Sequence, residues 1–299
     1  MSYAKKIILA IGAIVLIFGC ITVIQKYNGK FSIENLTSSK PFEMSVYSGV
    51  LSEEESRAVE AAFSQKYTYL QHGKQVFPFV SEDGKYVIKF VRHYKAKPPF
   101  YHSLPLPKSL RNFATKRAEL NREKVDVALK SFVIAESQLK KESGLLYVHI
   151  NKTSHIQKSL QVKDKLYRNF SINLDDYDFI VQKTAVLAYD QIKQLMDNNQ
   201  IEQAQTLVLQ IIDLIETRLK NGIHDNDITV FKNVGVVDGK PIFIDLGRFS
   251  YLPANTSTYD LRKDFLKQIS SFYDWISKKY PQLEKQLKTR LDQIFYESI

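Results

Sequence analysis

An uncharged apolar segment near the start of the chain limits the possible folds more than any other feature. Residues 7–24 read IILAIGAIVLIFGCITVI, with Lys5 and Lys6 before them and Lys26 after them. At 1.5 Å of rise per residue, about 18 helical residues nearly cross a hydrocarbon core of roughly 30 Å. The segment therefore predicts one membrane-spanning helix, and we interpret residues 1–29 as a single-pass membrane anchor.

Two other interpretations of this segment stay open. It is compatible with a buried core helix, or with a cleaved signal peptide, because residues 17–20 (IFGC) loosely match a lipoprotein cleavage box ending at Cys20. Phe18 is bulky for such a box, which favours an uncleaved anchor. Lysines flank the segment on both sides, so the positive-inside rule does not orient it. Lipidation of Cys20 also stays open.

The composition is that of a globular protein. Of 299 residues, 44% are hydrophobic and 25% are charged, with 11 Gly and 9 Pro, which excludes collagen-like, coiled-coil and low-complexity chains. A single cysteine excludes an intrachain disulfide framework and cysteine-based zinc or iron–sulfur sites. The formal net charge is +10, but Lys and Arg are interspersed with Asp and Glu. We therefore expect an anionic membrane surface or a phosphorylated ligand as partner, and no nucleic acid.

Strand signals concentrate in the first half of the chain. Residues 30–64 are predicted to be a connector that contains a helix with a capping box starting at Ser52. Residues 65–183 are predicted to form a lobe of five strands and one helix. The first three strands read as a consecutive antiparallel set with a tight turn at residues 82–84, and the helix covers residues 108–141 with one break.

Helix signals dominate residues 184–299. A helical stretch over residues 184–220 stops at Gly222, a hairpin turn is predicted at Asp238-Gly239, and two further helices follow. A strand-rich half followed by a helix-rich half indicates an α+β protein of two lobes.

Side chains suited to phosphate chemistry gather around the predicted hairpin. Asp227 lies in a loop before it, Asn233 directly precedes it, and Asp245 directly follows it, so the three face one another if the hairpin folds back. Carboxylate and amide oxygens are the ligands that Mg²⁺ prefers when it is shared with phosphates. Upstream, Lys89 lies on a strand between apolar residues, where a lysine needs an anionic partner such as a phosphate or a glutamate.

Taken in order, these motifs resemble those of the protein-kinase-like fold, the superfamily of Ser/Thr kinases, aminoglycoside phosphotransferases and lipopolysaccharide core-sugar kinases. The resemblance covers about residues 65–250. Residues 87–89 (VIK) are similar to the end of the third-strand V-A-I-K motif, and Asp227-Ile228 is similar to the catalytic-loop Asp-Leu. Residues 245–247 (DLG) are similar to the metal-binding D-F-G. The short tail after this motif resembles small-molecule and sugar kinases more than Ser/Thr protein kinases.

The resemblance implies ATP and Mg²⁺ as cofactors and a role for each motif residue. Lys89 would hold the α- and β-phosphates, and Asp227 would orient or deprotonate the acceptor hydroxyl. Asn233 and Asp245 would hold Mg²⁺.

Further cofactor-binding residues also follow from the resemblance. Residues 181–183, centred on Gln182, would be the hinge that meets adenine through backbone groups. The glutamate that pairs with the strand lysine would be Glu136 or Glu123, and we rank Glu136 higher because it lies nearer the next strand. The turn that contains Gly73 would cover the phosphates.

Three departures from the family pattern raise a second hypothesis. Gly73 is the single glycine of its turn, where the family's loop has several. His224 stands three residues before Asp227 instead of two, and Asn233 stands six residues after it instead of five. A catalytically weak or inactive pseudokinase, acting as a scaffold that binds nucleotide or protein, would carry such changes.

The sequence thus supports three hypotheses. The preferred one is a membrane-anchored, ATP- and Mg²⁺-dependent phosphotransferase whose acceptor is a protein, a sugar or a lipid-linked sugar. Such a domain would have to face the nucleotide-containing, cytoplasmic side of the membrane. The others are the pseudokinase scaffold and a structural membrane protein whose motifs are coincidental.

Overall fold

The computed structural model of this chain describes residues 3–38, 40–43, 51–70, 73, 75–97, 107–227 and 229–297. The helices are α1 (Tyr3–Tyr27), α2 (Glu53–Phe63), α3 (Lys108–Gln138), α4 (Lys140–Ser143), α5 (Ala188–Asp197), α6 (Ile201–Lys220), α7 (Val230–Asn233), α8 (Thr258–Lys279) and α9 (Pro281–Glu297). The strands are β1 (Lys66–Tyr69), β2 (Val76–Ser81), β3 (Tyr86–Val91), β4 (Leu145–His149), β5 (Ser159–Lys163), β6 (Asn169–Asn173), β7 (Phe179–Lys183), β8 (Val186–Leu187), β9 (Ile223–Asp225), β10 (Val234–Val237), β11 (Lys240–Phe243) and β12 (Phe249–Tyr251). Of the motif residues, Ile228 lies outside the described residues, as do the neighbours Gln71, His72 and Lys74 of Gly73. The predicted α+β class is confirmed.

The apolar segment near the start of the chain forms a helix that stands apart from the rest of the protein. Within α1, none of the apolar stretch of residues Lys5–Tyr27 is buried against the rest of the described chain. The interpretation as a buried core helix is therefore wrong. By length and composition the helix can cross a membrane, a test that a signal sequence also passes.

A mixed sheet of seven strands forms the sheet lobe, in the order β4-β7-β3-β2-β1-β5-β6. The antiparallel pairing of β1 with β2 and of β2 with β3 is confirmed. Two strands were missed by the prediction of five, because β5 and β6, at one end of the sheet, mix buried with exposed positions. Such strands lack the apolar run by which the others are recognised.

Several described residues of the range 30–64, which was predicted to be a connector, pack into the core of the sheet lobe. Phe31, Leu36, Val59 and Phe63 are buried in the same cluster as the inward side chains of β2 and β3. The capping box at Ser52 starts α2 as predicted, with reciprocal bonds between Ser52 and Glu55. This apolar layer covers one face of the sheet.

The other face of the sheet meets α3 and the helical lobe. Along β7, Phe179 and Val181 pack in the cluster that contains Phe31 and Phe63, which we call the first cluster. Ile180, between them, packs on the opposite face in a second cluster, which contains residues of α3 and of the helical lobe. This alternation is what a strand requires. The predicted break in the long helix lies at Leu139, between α3 and α4. Helices α5, α6, α8 and α9 bury their apolar faces in the second cluster.

The helical stretch predicted for residues 184–220 begins four residues later than expected, at Ala188. Val186 and Leu187 form β8, which pairs with β10 and so widens the small hairpin into three strands. The helix begins only at Ala188 and is interrupted between α5 and α6. The apolar periodicity does not reveal this short extended segment, because β8 is only two residues long.

Candidate functional site

The hairpin of β10 and β11 brings Asn233 beside the segment that carries Asp245. Asp238 and Gly239 both have positive φ values, 50° and 75°, as a tight two-residue hairpin turn requires. Beyond the last paired residues of the hairpin, the Ile244 backbone N–H donates to the Asn233 carbonyl at 2.8 Å. The neighbouring Asp245 is exposed, so its carboxylate is accessible from solvent.

The loop of Asp227 is tied to the same hairpin. Asn233 is buried, and its Nδ2 donates to the backbone carbonyl of Asp227 at 2.9 Å. The Asp227 carboxylate is partly exposed and lies 3.9 Å from Nε of Arg248. The structure therefore brings Asp227, Asn233 and Asp245 together, the three residues that the folded hairpin was expected to gather.

Lys89 reaches this group of residues from the sheet lobe. Its Nζ donates to the side-chain oxygen of Gln182 at 2.6 Å and to the backbone carbonyl of Ile244. Burial lowers the pKa of Lys89 to about 8, and the charge of Asp245 acts in the opposite direction. The lysine on the sheet thus contacts the backbone of the residue that directly precedes Asp245.

Gln182 is the side-chain partner of Lys89 in the sheet. Lys89 lies opposite Ile180 in the register of β3 and β7, so Gln182, two residues on from Ile180, is its diagonal neighbour on the same face. Nε2 of Gln182 donates to the carbonyls of Ser143 at 2.8 Å and Phe243 at 3.3 Å. The sequence analysis considered Gln182 only for a backbone contact with adenine and did not predict these side-chain hydrogen bonds to Lys89, Ser143 and Phe243.

The structure does not bring either candidate glutamate to Lys89. Among the described residues, the hydrogen bonds of Lys89 go to Gln182 and Ile244, and it forms no ion pair. Glu136 is buried on α3; burial first, and then the charge of Glu136, raise the pKa of Tyr147 to about 12. Glu123 is exposed.

Helix α3 contacts the D-L-G segment through a hydroxyl instead. The Ser131 side chain is fully buried, and its Oγ donates to the carbonyl of Leu246. The same oxygen accepts from the backbone N–H of Phe249 at 2.6 Å. Ser131 therefore holds the backbone on both sides of Gly247, a contact for which the sequence carries no local signal.

Gln75, directly before β2, also reaches the D-L-G segment. Arg92 donates to the carbonyl of Gly73, and Nε2 of Gln75 donates to the carbonyl of Gly247 at 3.2 Å. A Cβ at Gly247 would come within 1.9 Å of Oε1 of Gln75, so a side chain at this position would displace the Gln75 amide. Gln75 thus lies where the two lobes meet, directly over the segment that follows Asp245.

Asp225 is a third carboxylate of the site, to which the sequence analysis assigned no role. It is buried at the end of β9, and its Oδ1 accepts from the backbone N–H of Asp227 at 2.8 Å. Burial raises its pKa to about 6, although Arg218, 3.7 Å away, acts in the opposite direction. Its hydrogen bond to the loop backbone makes Asp225 a positioning group for Asp227.

His224, by contrast, holds the loop to the helical lobe. Its Nδ1 lies 3.0 Å from Oδ2 of Asp264 on α8, and the same oxygen accepts from Gln268. The ring therefore faces a structural partner, as expected for a histidine that fixes the loop.

The side chains available for a divalent cation are oxygen donors. The described residues contain no group of three or more His, Cys, Asp or Glu that could enclose a metal ion. Because Nδ2 of Asn233 is engaged with Asp227, its Oδ1 is the atom that a cation would use, together with the exposed carboxylate of Asp245. This donor set fits Mg²⁺, which is usually bound by one or two protein oxygens plus substrate phosphates and water.

No protein-family model matches this chain, and no curated protein matches its sequence. The solved structures to which it is similar include WbdD with the kinase inhibitor LY294002, at 13% identity and a TM-score of 0.35, covering 75% of this chain and 45% of WbdD. Another is WbdD described as a bifunctional kinase-methyltransferase, at 12% identity and a TM-score of 0.33, covering 73% of this chain and 43% of WbdD. The complex of Rv3197 with erythromycin, from Mycobacterium tuberculosis, matches at 12% identity and a TM-score of 0.32, covering 81% of this chain and 67% of Rv3197.

This chain spans less than half the length of these WbdD structures. The description of WbdD includes a kinase, which is the class of protein that the motifs of this chain resemble. At these identities and TM-scores the likeness carries no argument for an activity.

Proposed function

We propose that this protein is a membrane-anchored phosphotransferase of the kinase-like fold that uses ATP and Mg²⁺. The observation that carries the proposal is the hydrogen bond from Nζ of Lys89 to the carbonyl of Ile244, next to Asp245. It joins a cation of the sheet lobe to the segment of the helical lobe that carries Asp245. A triphosphate with its metal ion is a ligand that needs both.

Each residue of the site has a part that follows from its contacts. Lys89 binds phosphate oxygens, and Asn233 with Asp245 would hold Mg²⁺, which supplies charge neutralisation at the phosphates when bound. Asp227 is partly exposed, so its carboxylate is free to accept a proton from an acceptor hydroxyl. Asp225 is too buried for that task and fixes the Asp227 backbone instead.

The proposed reaction balances as a simple displacement. The acceptor oxygen forms a bond to the γ-phosphorus of ATP, and the bond from that phosphorus to the bridging oxygen of ADP breaks. The hydroxyl proton passes to Asp227, and ADP leaves with the bridging oxygen. The acceptor is proposed to be a hydroxyl of a protein, a sugar or a lipid-linked sugar, within reach of a domain held at the membrane.

One contact favours the second candidate, a pseudokinase that binds without catalysis. The side chain of Gln75 lies against Gly247, where a phosphate-covering loop of the family would leave space for the nucleotide. Such a contact would weaken nucleotide binding unless the turn moves when ATP enters. A scaffold that binds a protein or nucleotide would tolerate it.

The experiment uses the full chain in nanodiscs with Mg²⁺ and ATP. We expect ATP to raise the melting temperature only when Mg²⁺ is present, and slow ADP formation to be abolished by Asp227→Asn. Asp238→Asn, at the exposed hairpin turn, is the matched control and should leave ADP formation unchanged. ATP binding without ADP formation would favour the pseudokinase. The absence of Mg²⁺-dependent stabilisation by ATP would refute the phosphotransferase and leave only a scaffold that binds protein.

A further inference from the structure

Helix α1 joins the sheet lobe without a flexible linker. Gly29 and Lys30 both have positive φ values, 60° and 64°. The Lys30 N–H donates to the Gln25 carbonyl at 2.7 Å and the Gly29 N–H to the Lys26 carbonyl at 3.2 Å. This pair of bonds is a Schellman motif, which ends the helix in one defined geometry.

The first residue after α1 is locked to the turn between β5 and β6. Asn28 is buried, and its Nδ2 donates to Oδ2 of Asp164 at 3.1 Å. Its Oδ1 accepts from the backbone N–H of Lys165 at 3.2 Å. Asp164 in turn accepts from the Arg168 backbone N–H and side chain, so one buried carboxylate organises both the turn and the end of the helix.

The next residues extend the same attachment into the sheet. Arg92, which is buried, donates to the Gly29 carbonyl at 3.3 Å. The Phe31 ring packs between aromatic rings at centroid distances of 5.0 Å from Phe79 and 5.5 Å from Phe170. The sheet lobe therefore cannot swing away from the end of α1 without breaking buried contacts.

This attachment fixes the depth of the turn if α1 spans a bilayer. The candidate span ends at Tyr27, and the turn is hydrogen-bonded to the residue that follows. The headgroup layer on each side of the hydrocarbon core is roughly 5–8 Å thick. A turn in direct contact with Asn28 consequently lies at the level of the headgroups.

The exposed side chains at this place have the chemistry of a membrane interface. Tyr167, at the tip of the turn, has a φ of 61°, and its side chain is open to the outside, since the residue is 81% exposed. Lys26 and Lys30 at the helix end are exposed, and Lys165 beside Tyr167 is partly exposed. Tyrosine is enriched at membrane interfaces, and lysine attracts anionic headgroups.

We propose that the turn of residues 164–168, together with Lys26 and Lys30, is a docking surface for anionic phospholipid headgroups. We call these residues the headgroup surface. The inference rests on the membrane anchoring in the proposed function, but not on nucleotide binding or catalysis. The headgroup surface would hold the sheet lobe in one orientation on the bilayer, which a single helix alone does not do.

The test uses the full chain in nanodiscs and a Tyr167→Trp variant, read by quenching from lipids brominated near the headgroup end of the acyl chain. The single native tryptophan, Trp275, packs against Tyr189 in the helical lobe and gives the same background in every sample. Tyr259→Trp, at an exposed position on α8, is the matched control. We expect Tyr167→Trp to be quenched at least about twofold more strongly than Tyr259→Trp. The excess should grow when about 30% of the lipid is phosphatidylglycerol.

Charge reversal tests the lipid preference. Lys30→Glu combined with Lys165→Glu should reduce the excess quenching in anionic discs to the level seen in neutral discs. Lys278→Glu combined with Lys279→Glu, near the end of α8, should leave it unchanged. The proposed preference for anionic lipid would be overturned if the excess quenching of Tyr167→Trp over Tyr259→Trp did not change with phosphatidylglycerol. It would also be overturned if Lys30→Glu combined with Lys165→Glu left that excess unchanged.

Alkaline extraction of membranes separates the two parts of the inference. A protein that resists extraction, with equal quenching at positions 167 and 259, would refute the headgroup surface and leave the anchor in place. A protein released by alkali would refute both the anchor and the headgroup surface. Mg²⁺-dependent ATP binding, measured on the same samples, would be unaffected by either result.

Discussion

Lys89 donates a hydrogen bond from Nζ to Oε1 of Gln182 at 2.6 Å, so a neutral amide holds the lysine at the junction of the two lobes. The same amide group is anchored by Nε2 to carbonyls of Ser143 and Phe243, one on each side of the junction. A glutamate at this place would add a negative charge beside the lysine. The amide instead orients Lys89 while leaving its positive charge for a phosphate.

Replacing this amide by a carboxylate should change the ionisation of the lysine. Because an opposite charge within a few ångströms favours the charged form, Gln182→Glu should raise the pKa of Lys89 by about one unit or more from its value of about 8. Competitive chemical labelling of Lys89 against pH, read by mass spectrometry, measures this pKa. Gln203→Glu, at an exposed position on α6, is the control, and an unchanged labelling curve for Gln182→Glu would contradict the assigned contact.

The affinity for ATP should depend on the charge of Lys89. Burial lowers its pKa from 10.5 to about 8, so the free protein loses this proton as the pH rises through 8, and the lysine then no longer attracts phosphate. We expect the affinity for ATP with Mg²⁺ to fall by up to about tenfold per pH unit above this point. Isothermal titration between pH 7 and 9.5 measures it. Lys89→Met should bind weakly at every pH, and a matching pH profile in that variant would assign the dependence to another group.

Asp245→Asn should remove the metal-dependent part of nucleotide binding while preserving the fold. Its carboxylate is exposed and accepts one hydrogen bond from the Gly247 N–H at 3.2 Å, which an asparagine oxygen can also accept. We expect the melting temperature without ligand to stay close to that of the wild type and the shift produced by ATP with Mg²⁺ to vanish. Asp274→Asn, on the exposed side of α8, controls for the loss of one negative charge. Retained Mg²⁺-dependent binding in Asp245→Asn would rule out its role as a ligand.

Ser131→Ala should lower both stability and nucleotide affinity. The substitution leaves the buried N–H of Phe249 without its acceptor and releases the Leu246 carbonyl, at a cost of about 1–3 kcal/mol in the free energy of unfolding. Urea denaturation measures this cost. Ser137→Ala, whose hydroxyl bonds only within its own helix, should cost less. Equal effects of the two substitutions would show that the hydroxyl of Ser131 does not hold the D-L-G segment.

The parts of the site that local sequence specifies were the parts that could be predicted. Asp238 and Gly239 favour a tight turn, and that turn closes the hairpin, so the proximity of Asn233 and Asp245 follows from residues close together in the chain. The antiparallel start of the sheet and the capping box of α2 were predictable for the same reason. The roles of these side chains with nucleotide stay predictions.

The missed contacts join residues that are distant in the chain. Gln182 meets Lys89, and Ser131 meets Leu246, only after the sheet and α3 have packed against the helical lobe. Their residue types are common in strands and helices, so no pattern marks them. Asp225 was given no role from the sequence, because its burial, which raises its pKa, is a property of the folded lobe.

A double-mutant cycle on the affinity for ATP with Mg²⁺ tests most directly whether Lys89 and Asp245 act on the same triphosphate. Lys89→Met, Asp245→Asn and the double variant would be titrated beside the wild type in nanodiscs. We predict that the double variant loses less affinity than the two single losses combined, with a coupling of about 1 kcal/mol or more. Losses that add to within about 0.5 kcal/mol, or a wild type that does not bind ATP, would contradict the account.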